Sequence, residues 1–282
     1  MELEPFISEL ANRANVMHRS FRDKPIIIYD DHRWLLNVLF KLYQSGELAS
    51  PDLIYLDHHE DYAESLKKTE LLSKIGVDDL KDATDKQFGA FVDYDLRTDD
   101  SDWLRTALEL NLVKDVALFG GSCNDELRSG MNQYESEDGI LHKVFKLSED
   151  IEFEIGCRGQ LGDHARSAEF ADVRKFFKSG EYSYDGLLKS NYILDFDLDF
   201  FSIYSKECQS LAWPGKVFDD KLGQHSKSFR LIHQLILNAA VITICREPDF
   251  CGGIGESNSI LEQLDCRFFN GSLGTEPAYR VW

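Results

Sequence analysis

Two acidic segments of the sequence carry the residue types that bind divalent metal ions. One is Asp57-x-His59-x-Asp61, and the other, over residues 195–199, reads D-F-D-L-D. If each segment is an extended strand end, alternate side chains point to the same side and face one site. Carboxylate oxygens with imidazole nitrogens suit Mn²⁺ or Fe²⁺, and buried carboxylates on one face repel each other unless a cation neutralises them. A solvated acidic loop and a strand with one wet face are the alternative interpretations.

The surrounding pattern predicts the elements that would position these segments. Apolar runs typical of buried strands alternate with helical periodicity, which favours a three-layer α/β/α fold with a mainly parallel central sheet. The strand runs cover residues 26–29, 53–56, 116–119, 192–194 and 241–244, and the helical segments cover 34–43, 103–112 and 228–239. No Pro- or Gly-rich linker interrupts the chain, which favours a single domain over 1–282. Residues 134–184 are more polar, and we interpret them as an insertion or lid.

Four of the strand runs end in polar clusters. The clusters cover residues 30–32, 57–61, 195–199 and 245–247. In an open parallel sheet, ligands bind beyond the carboxyl ends of the strands, so we expect the four clusters to converge there. This placement adds residues 30–32, which include His32, and residues 245–247, which include Glu247, to the candidate site.

Composition limits the classes of partner. The chain has 50 Asp and Glu against 31 Lys and Arg, a net charge of −19. This balance disfavours nucleic acid and anionic membranes and favours cations or basic ligands, although solubility alone could explain it. No run approaches the roughly 18–20 apolar residues of a spanning helix. The absence of a secretory signal pattern and of C-x-x-C spacing predicts a cytoplasmic protein with reduced cysteines. The oligomeric state is not predicted.

The order of the motifs resembles the arginase and ureohydrolase superfamily, whose metal ligands lie in G-G-D-H, D-x-H-x-D and S-F-D-x-D segments. Here Y-D-D-H covers 29–32, D-x-H-x-D is complete, and D-F-D-x-D begins at Asp195, which replaces the serine. The L-D-H-H-x-D, F-D-x-D-F-F and R-E-P-D segments resemble the divergent branch of peptide arginases. The double glycine is missing, and the family's active-site histidine has no counterpart between Asp61 and His142.

This resemblance implies an arginase-like fold and a hydrolase that converts arginine within a peptide to ornithine and urea. It implies two Mn²⁺ ions, or other divalent metals, held by His32, Asp57, His59, Asp61, Asp197 and Asp199. In this scheme Asp57 and Asp197 bridge both ions, His32 and Asp61 complete one, and His59 and Asp199 complete the other. Two such ions lower the pKa of a bound water toward ~7, which would provide a nucleophile for the guanidinium carbon.

Two further roles are expected. Glu247 would bind the guanidinium cation through a forked, charge-assisted hydrogen bond, unless it forms a salt bridge with Arg246. Asp61 or His164 would return a proton to the leaving amine, although His164 also fits an ordinary loop histidine.

Three alternative functions remain open at this point. A small-molecule ureohydrolase of the agmatinase kind would use the same ligands on a different substrate. A zinc deacetylase-like amidohydrolase would use one metal and three protein ligands, which the six predicted ligands disfavour. An inactive acidic peptide-binding module would retain the fold without turnover. The resemblance implies an arginine-containing peptide as the partner, and the negative charge outside the predicted site gives modest further support for a basic peptide.

Overall fold

A computed structural model describes residues 16–46, 48, 50–97, 99, 101–121, 126–147, 192–204 and 210–274. Strands and helices alternate along these ranges, as the apolar periodicity predicts. The strands, in chain order, are β1 (Met17–Phe21), β2 (Lys24–Tyr29), β3 (Asp52–Asp57), β4 (Val116–Gly120), β5 (Gly130–Glu135), β6 (Leu141–Leu147), β7 (Tyr192–Asp197), β8 (Ser202–Tyr204), β9 (Ser210–Ala212) and β10 (Val241–Cys245). All five predicted strands are confirmed, and β10 extends one residue beyond its predicted run.

Eight strands form the central sheet, in the order β1-β2-β10-β7-β3-β4-β6-β5, and β8 pairs with β9 in a separate hairpin. The six inner strands run parallel. Only the two edge strands, β1 and β5, pair antiparallel with their neighbours. The carboxyl ends of β2, β10, β7 and β3 therefore lie side by side at one edge of the sheet.

The helices follow from capping residues and amphipathic sequence. They are α1 (Leu35–Ser45), α2 (Lys68–Ile75), α3 (Asp85–Tyr94), α4 (Trp103–Glu109), α5 (Gly215–Leu222), α6 (Lys227–Asn238), α7 (Pro248–Cys251) and α8 (Ile254–Leu264). Helix α3 begins with a capping box between Thr84 and Gln87, and the Ser226 hydroxyl accepts the Phe229 N–H at the start of α6. Such caps satisfy N–H groups that have no partner within the helix.

The sheet is covered on both faces, because alternate residues of each strand point to opposite sides. Leu53 and Tyr55 of β3 pack with α1 to α4 in one core. Ile54 and Leu56 of the same strand pack with α5, α6 and α8 in a second core. The predicted three-layer α/β/α fold with a mainly parallel sheet is confirmed.

The stretch 134–184 divides into two parts. Its first residues complete β5 and form β6, so they belong to the central sheet. Residues 148–184, including His164, lie outside the described ranges, and the lid interpretation remains a prediction for them. Among the described helices, none is long and apolar enough to cross a membrane.

Candidate metal centre

The structure brings the four polar clusters together at the carboxyl edge of the sheet. Strand β10 lies between β2 and β7, so that Cys245 is level with Tyr29 on one side and with Asp197 on the other. Strand β3 is next to β7, with Leu56 level with Phe196. The side chains that follow these strand ends therefore meet above four adjacent strands.

The first cluster surrounds the Nδ1 atom of His32. This atom lies 3.3 Å from Asp57 Oδ2, 2.9 Å from Asp61 Oδ2 and 3.1 Å from Asp197 Oδ2. His32, Asp57 and Asp197 are completely buried. His32 Nδ1, Asp57 Oδ2 and Asp197 Oδ2 are buried atoms without a hydrogen-bond partner. Unsatisfied buried polar atoms are costly, and a cation among them would remove that cost.

The second cluster surrounds His59. Its Nδ1 atom lies 2.8 Å from Asp199 Oδ2 and 3.9 Å from Asp57 Oδ1. Asp199 Oδ2 also has no hydrogen-bond partner, while its Oδ1 accepts the His58 N–H at 3.1 Å. Asp57 thus presents one oxygen to each cluster, the position of a ligand that bridges two ions.

Asp197 has a different position from Asp57. Its Oδ2 faces His32, and its Oδ1 accepts the Asp199 N–H at 2.9 Å. Its ligand atoms group with His32 and Asp57, and not with the second cluster of Asp57, His59 and Asp199. The structure therefore places Asp57 between both clusters and Asp197 in the first.

The sequence-based explanation for Asp57, His59 and Asp61 is wrong in one respect. The strand ends at Asp57 and does not continue in an extended form. The chain turns after Asp57. The His59 N–H donates a hydrogen bond to Asp57 Oδ1 at 2.6 Å, and Asp61 has a left-handed backbone conformation with a φ of 50°. This turn, and not strand alternation, divides the three side chains between two clusters. Asp199 similarly lies in a 3₁₀ turn after β7.

Electrostatics also favour a cation at this site. Burial and the neighbouring Asp61 raise the pKa of Asp57 well above its ordinary value. Burial and Asp199 raise the pKa of Asp197 to about 7. Burial lowers the pKa of His59, but the bond to Asp199 outweighs it and the pKa reaches about 10. Without a cation Asp57 and Asp197 therefore bind protons more readily than ordinary carboxylates, whereas a divalent ion would favour their ionised form.

Asp195 supports the site from behind His32. Its Oδ2 lies 2.8 Å from His32 Nε2, and its Oδ1 accepts hydrogen bonds from Tyr29 Oη at 2.9 Å and Thr243 Oγ1 at 2.5 Å. All four residues are buried. An acidic partner on the second nitrogen fixes the ring and its tautomer, as is common for metal-binding histidines. Sequence reasoning counted Asp195 in the acidic segment 195–199 and as a replacement for serine, but it did not find this role.

Trp103 is a second residue that the sequence did not identify. Its indole Nε1–H donates to Asp61 Oδ2 at 2.5 Å, and its ring centroid lies 4.7 Å from that of His32. In the sequence it is one apolar residue at the start of α4, and nothing in its spacing distinguishes it from core.

The residues of the two clusters fit divalent metal ions. In each of two adjacent clusters of imidazole and carboxylate groups the candidate ligand atoms lie within 4.8 Å of one another, and the two clusters share Asp57. Their donor set of nitrogen and oxygen atoms, several without other partners, suits divalent cations. The buried His and Asp clusters could therefore hold metal ions.

A cavity of about 450 Å³ opens beside the two clusters. It is lined by His59, Asp61, Ala63, Arg97, Asp99, Ser101, Glu126, Glu247 and Phe250. Two of the predicted metal ligands and the predicted substrate-binding carboxylate thus share one space. Its size is in the range of ordinary small-molecule sites.

Glu247 lies in this cavity without a partner. Its side chain is 5% exposed, and in the described ranges no group donates a hydrogen bond to its carboxylate. Arg246 turns away and donates to Asp30 at 2.6 Å, so the alternative of an Arg246–Glu247 salt bridge is wrong. Glu247 has a φ of 35° at the start of α7, with Pro248 as the first helical residue. Such strained backbone is typical of functional positions.

Comparison with known proteins does not place the chain in a family. No protein-family model matches the sequence, and no curated protein does.

Proposed function

We propose that this protein is a metal-dependent hydrolase that cleaves the guanidinium group of arginine, with arginine in a peptide as the favoured substrate. The products are ornithine and urea. The observation that carries the proposal is the buried carboxylate of Glu247, which accepts no hydrogen bond from the described residues and lies in a cavity shared with His59 and Asp61. The motif resemblance to the ureohydrolases leads to the same reaction.

Glu247 is suited to hold a planar cation. A guanidinium group can donate two parallel hydrogen bonds to one carboxylate, which fixes its orientation. Burial and the nearby Asp197 raise the pKa of Glu247 well above its ordinary value, and a bound cation would restore its ionised form. Phe250 lines the same cavity, with its ring 5.2 Å from that of His59, and offers an aromatic face to the substrate.

The two clusters supply the positions for metal ions. His32, Asp57, Asp61 and Asp197 would hold one divalent ion, and Asp57, His59 and Asp199 the second. The mixed imidazole and carboxylate set favours Mn²⁺ among the available ions. When bound, the ions would supply a water nucleophile that is deprotonated near neutral pH. The presence of a second cluster argues against the one-metal deacetylase alternative.

Cleavage of the guanidinium group also requires a proton transfer, which residues of the chain would carry out. Water adds to the guanidinium carbon, the bond from that carbon to the side-chain nitrogen breaks, and urea is released. The proton that the water loses must reach the leaving nitrogen, which becomes the ornithine amine. Asp61 lines the cavity and is fixed by the Trp103 N–H, so it is in place to carry this proton. His164 remains a second candidate outside the described ranges.

A free amino acid is the second candidate substrate, and Arg97 favours it. Arg97 lines the cavity, where it pairs with Asp99 at 3.2 Å. A guanidinium at this position could bind a substrate carboxylate, which free arginine has and agmatine lacks. The net charge of −19 favours the basic peptide instead.

The experiment measures urea release by Mn²⁺-loaded protein from an arginine-containing peptide, free arginine and agmatine in parallel. We expect urea from the peptide, and the peptide should lose the mass of urea minus the mass of water for each arginine converted. The Asp197→Ala control should release no urea. If urea is released only from free arginine, and Arg97→Ala abolishes that release, the substrate is the free amino acid. No urea from any substrate with two ions bound would contradict the proposal.

A further inference from the structure

We infer that Asp197, Cys245 and Glu247 form a third cation site, selective for a thiophilic divalent ion such as Zn²⁺ or Cd²⁺. This ion would occupy the place where the proposed function puts the guanidinium group. The binding itself follows from the geometry, and only its inhibitory consequence rests on the proposed function.

The three side chains come from adjacent strand ends. Cys245 is the last residue of β10 and lies level with Asp197, the last residue of β7. Glu247 follows two residues later. One ligand atom from each of the three lies within 4.8 Å of the others, and the residues are 0%, 0% and 5% exposed.

Partners are missing at this site. Glu247 is buried and lines the cavity, yet its carboxylate receives no hydrogen bond from the described residues. Asp197 Oδ2 is also a buried atom without a hydrogen-bond partner, and because it faces His32 Nδ1 at 3.1 Å, an ion here would share Asp197 with the first cluster. Cys245 is a free, buried cysteine. A buried carboxylate directed into a cavity beside a thiol points to a ligand that both can bind.

Charge balance leaves room for a third cation. Six carboxylates are buried around the two clusters, those of Asp57, Asp61, Asp195, Asp197, Asp199 and Glu247. Two divalent ions supply four positive charges, so two negative charges remain uncompensated. A guanidinium ion would neutralise one of them, and a divalent ion bound together with a deprotonated Cys245 thiol would leave the same net charge.

The ligand chemistry separates this site from the other two. It alone among the described His, Cys, Asp and Glu clusters contains sulfur. A thiol that coordinates a metal ion is deprotonated, and thiolate with carboxylate ligands favours Zn²⁺ and softer ions over Mn²⁺. An ion held there would engage Glu247 and exclude the substrate cation.

The test titrates Cd²⁺ into Mn²⁺-loaded protein and follows the ultraviolet thiolate-to-metal charge-transfer band. Free Mn²⁺ is measured in the same samples by electron paramagnetic resonance. We expect a band that saturates at one equivalent of Cd²⁺ without release of Mn²⁺. Cys245→Ser and Cys245→Ala should abolish it, and Glu247→Gln should weaken binding about tenfold or more.

Cys251→Ser is the matched control. Cys251 is also buried, but its thiol donates to the Arg246 carbonyl at 3.2 Å, so this variant should keep the band. A band that persists in Cys245→Ser, or Mn²⁺ release in step with Cd²⁺ uptake, would overturn the inference.

Inhibition gives an independent second measurement. Zn²⁺ should raise the KM for substrate with little change in kcat, and Cys245→Ser should remove this effect. Because the absorption band requires no turnover, the two proposals fail separately. Urea production with no band contradicts the third site alone, whereas a band with no urea contradicts the proposed reaction alone.

Discussion

The Nε2 atom of His32 lies 2.8 Å from Asp195 Oδ2, while its Nδ1 atom faces Asp57, Asp61 and Asp197. One imidazole thus connects a buried carboxylate to a group of three others. With the proton on Nε2 in the bond to Asp195, the lone pair of Nδ1 would be directed at the cluster once a cation is bound there.

Removal of Asp195 should weaken metal binding although the residue is not a ligand in this arrangement. We expect Asp195→Ala to lower Mn²⁺ affinity by about 10–100-fold, the usual cost of losing such an outer partner. Asp195→Asn should lose less of the Mn²⁺ affinity, since the carbonyl oxygen of asparagine can still accept a hydrogen bond from the His32 N–H. Equilibrium dialysis with Mn²⁺ and the visible spectrum of the Co²⁺-substituted protein would measure this. Equal affinities in all three proteins would show that Asp195 does not support His32.

The second cluster should be separable from the first. His59→Ala is expected to reduce bound Mn²⁺ from two ions to one, because His59 belongs only to the second cluster. Asp57→Ala should impair both sites, since its two oxygens face different clusters. Native mass spectrometry would count the ions. His58→Ala is the matched control, because His58 belongs to neither cluster, and a loss of metal there would contradict the assignment.

The metal-free protein should lose stability as pH rises, and metal should restore it. The pKa of Asp197 is about 7 in the folded protein against 3.8 ordinarily. A raised pKa means that the folded state binds the proton more tightly than the unfolded state does. The resulting stabilisation is complete below about pH 3.8 and is lost as the pH rises to about 7. His59, raised from 6.5 to about 10, acts in the same direction at higher pH. Thermal unfolding with and without Mn²⁺ should show a gap in Tm that widens with pH. A gap that narrows would contradict the prediction.

Trp103→Phe should affect turnover more than folding. The substitution keeps an aromatic ring beside His32 but removes the N–H that fixes Asp61. A lost hydrogen bond to a buried carboxylate costs about 1–3 kcal/mol, and we expect about tenfold lower kcat if Asp61 carries the proton. Urea release and circular dichroism melting would be compared. An unchanged kcat with a lower Tm would assign Trp103 a purely structural role.

The sequence predicted the parts of the site that depend on strand order. Residues 26–29 and 241–244 are short apolar runs followed by polar residues, and parallel neighbours bring such ends together. This argument correctly placed His32 beside Asp57, and Glu247 beside Asp197 and in the cavity with His59 and Asp61. The strand order itself, with β10 between β2 and β7, was not predicted.

The remainder depends on contacts that local pattern does not encode. Asp195 reaches His32 over 163 positions in the sequence, and only the tertiary arrangement shows that its partners are Tyr29 and Thr243. The left-handed turn at Asp61 is not a glycine position, so it carried no turn signature. Period-2 spacing therefore suggested an extended segment where the chain bends.

The position of β10 has a consequence for the order in which the protein assembles during synthesis. Among the described strands of the sheet, β10 is the last in the sequence, yet it separates β2 from β7, carries Thr243 and Cys245 and is followed at once by Glu247. A nascent chain that has emerged only through β7 can place its early strands, but His32 and Asp195 lack the strand that sets their spacing. We therefore expect the candidate metal site to form only after residue 247 has left the ribosome. Long-range pairing of this kind is slow, and the carboxylates remain hydrated until it is complete.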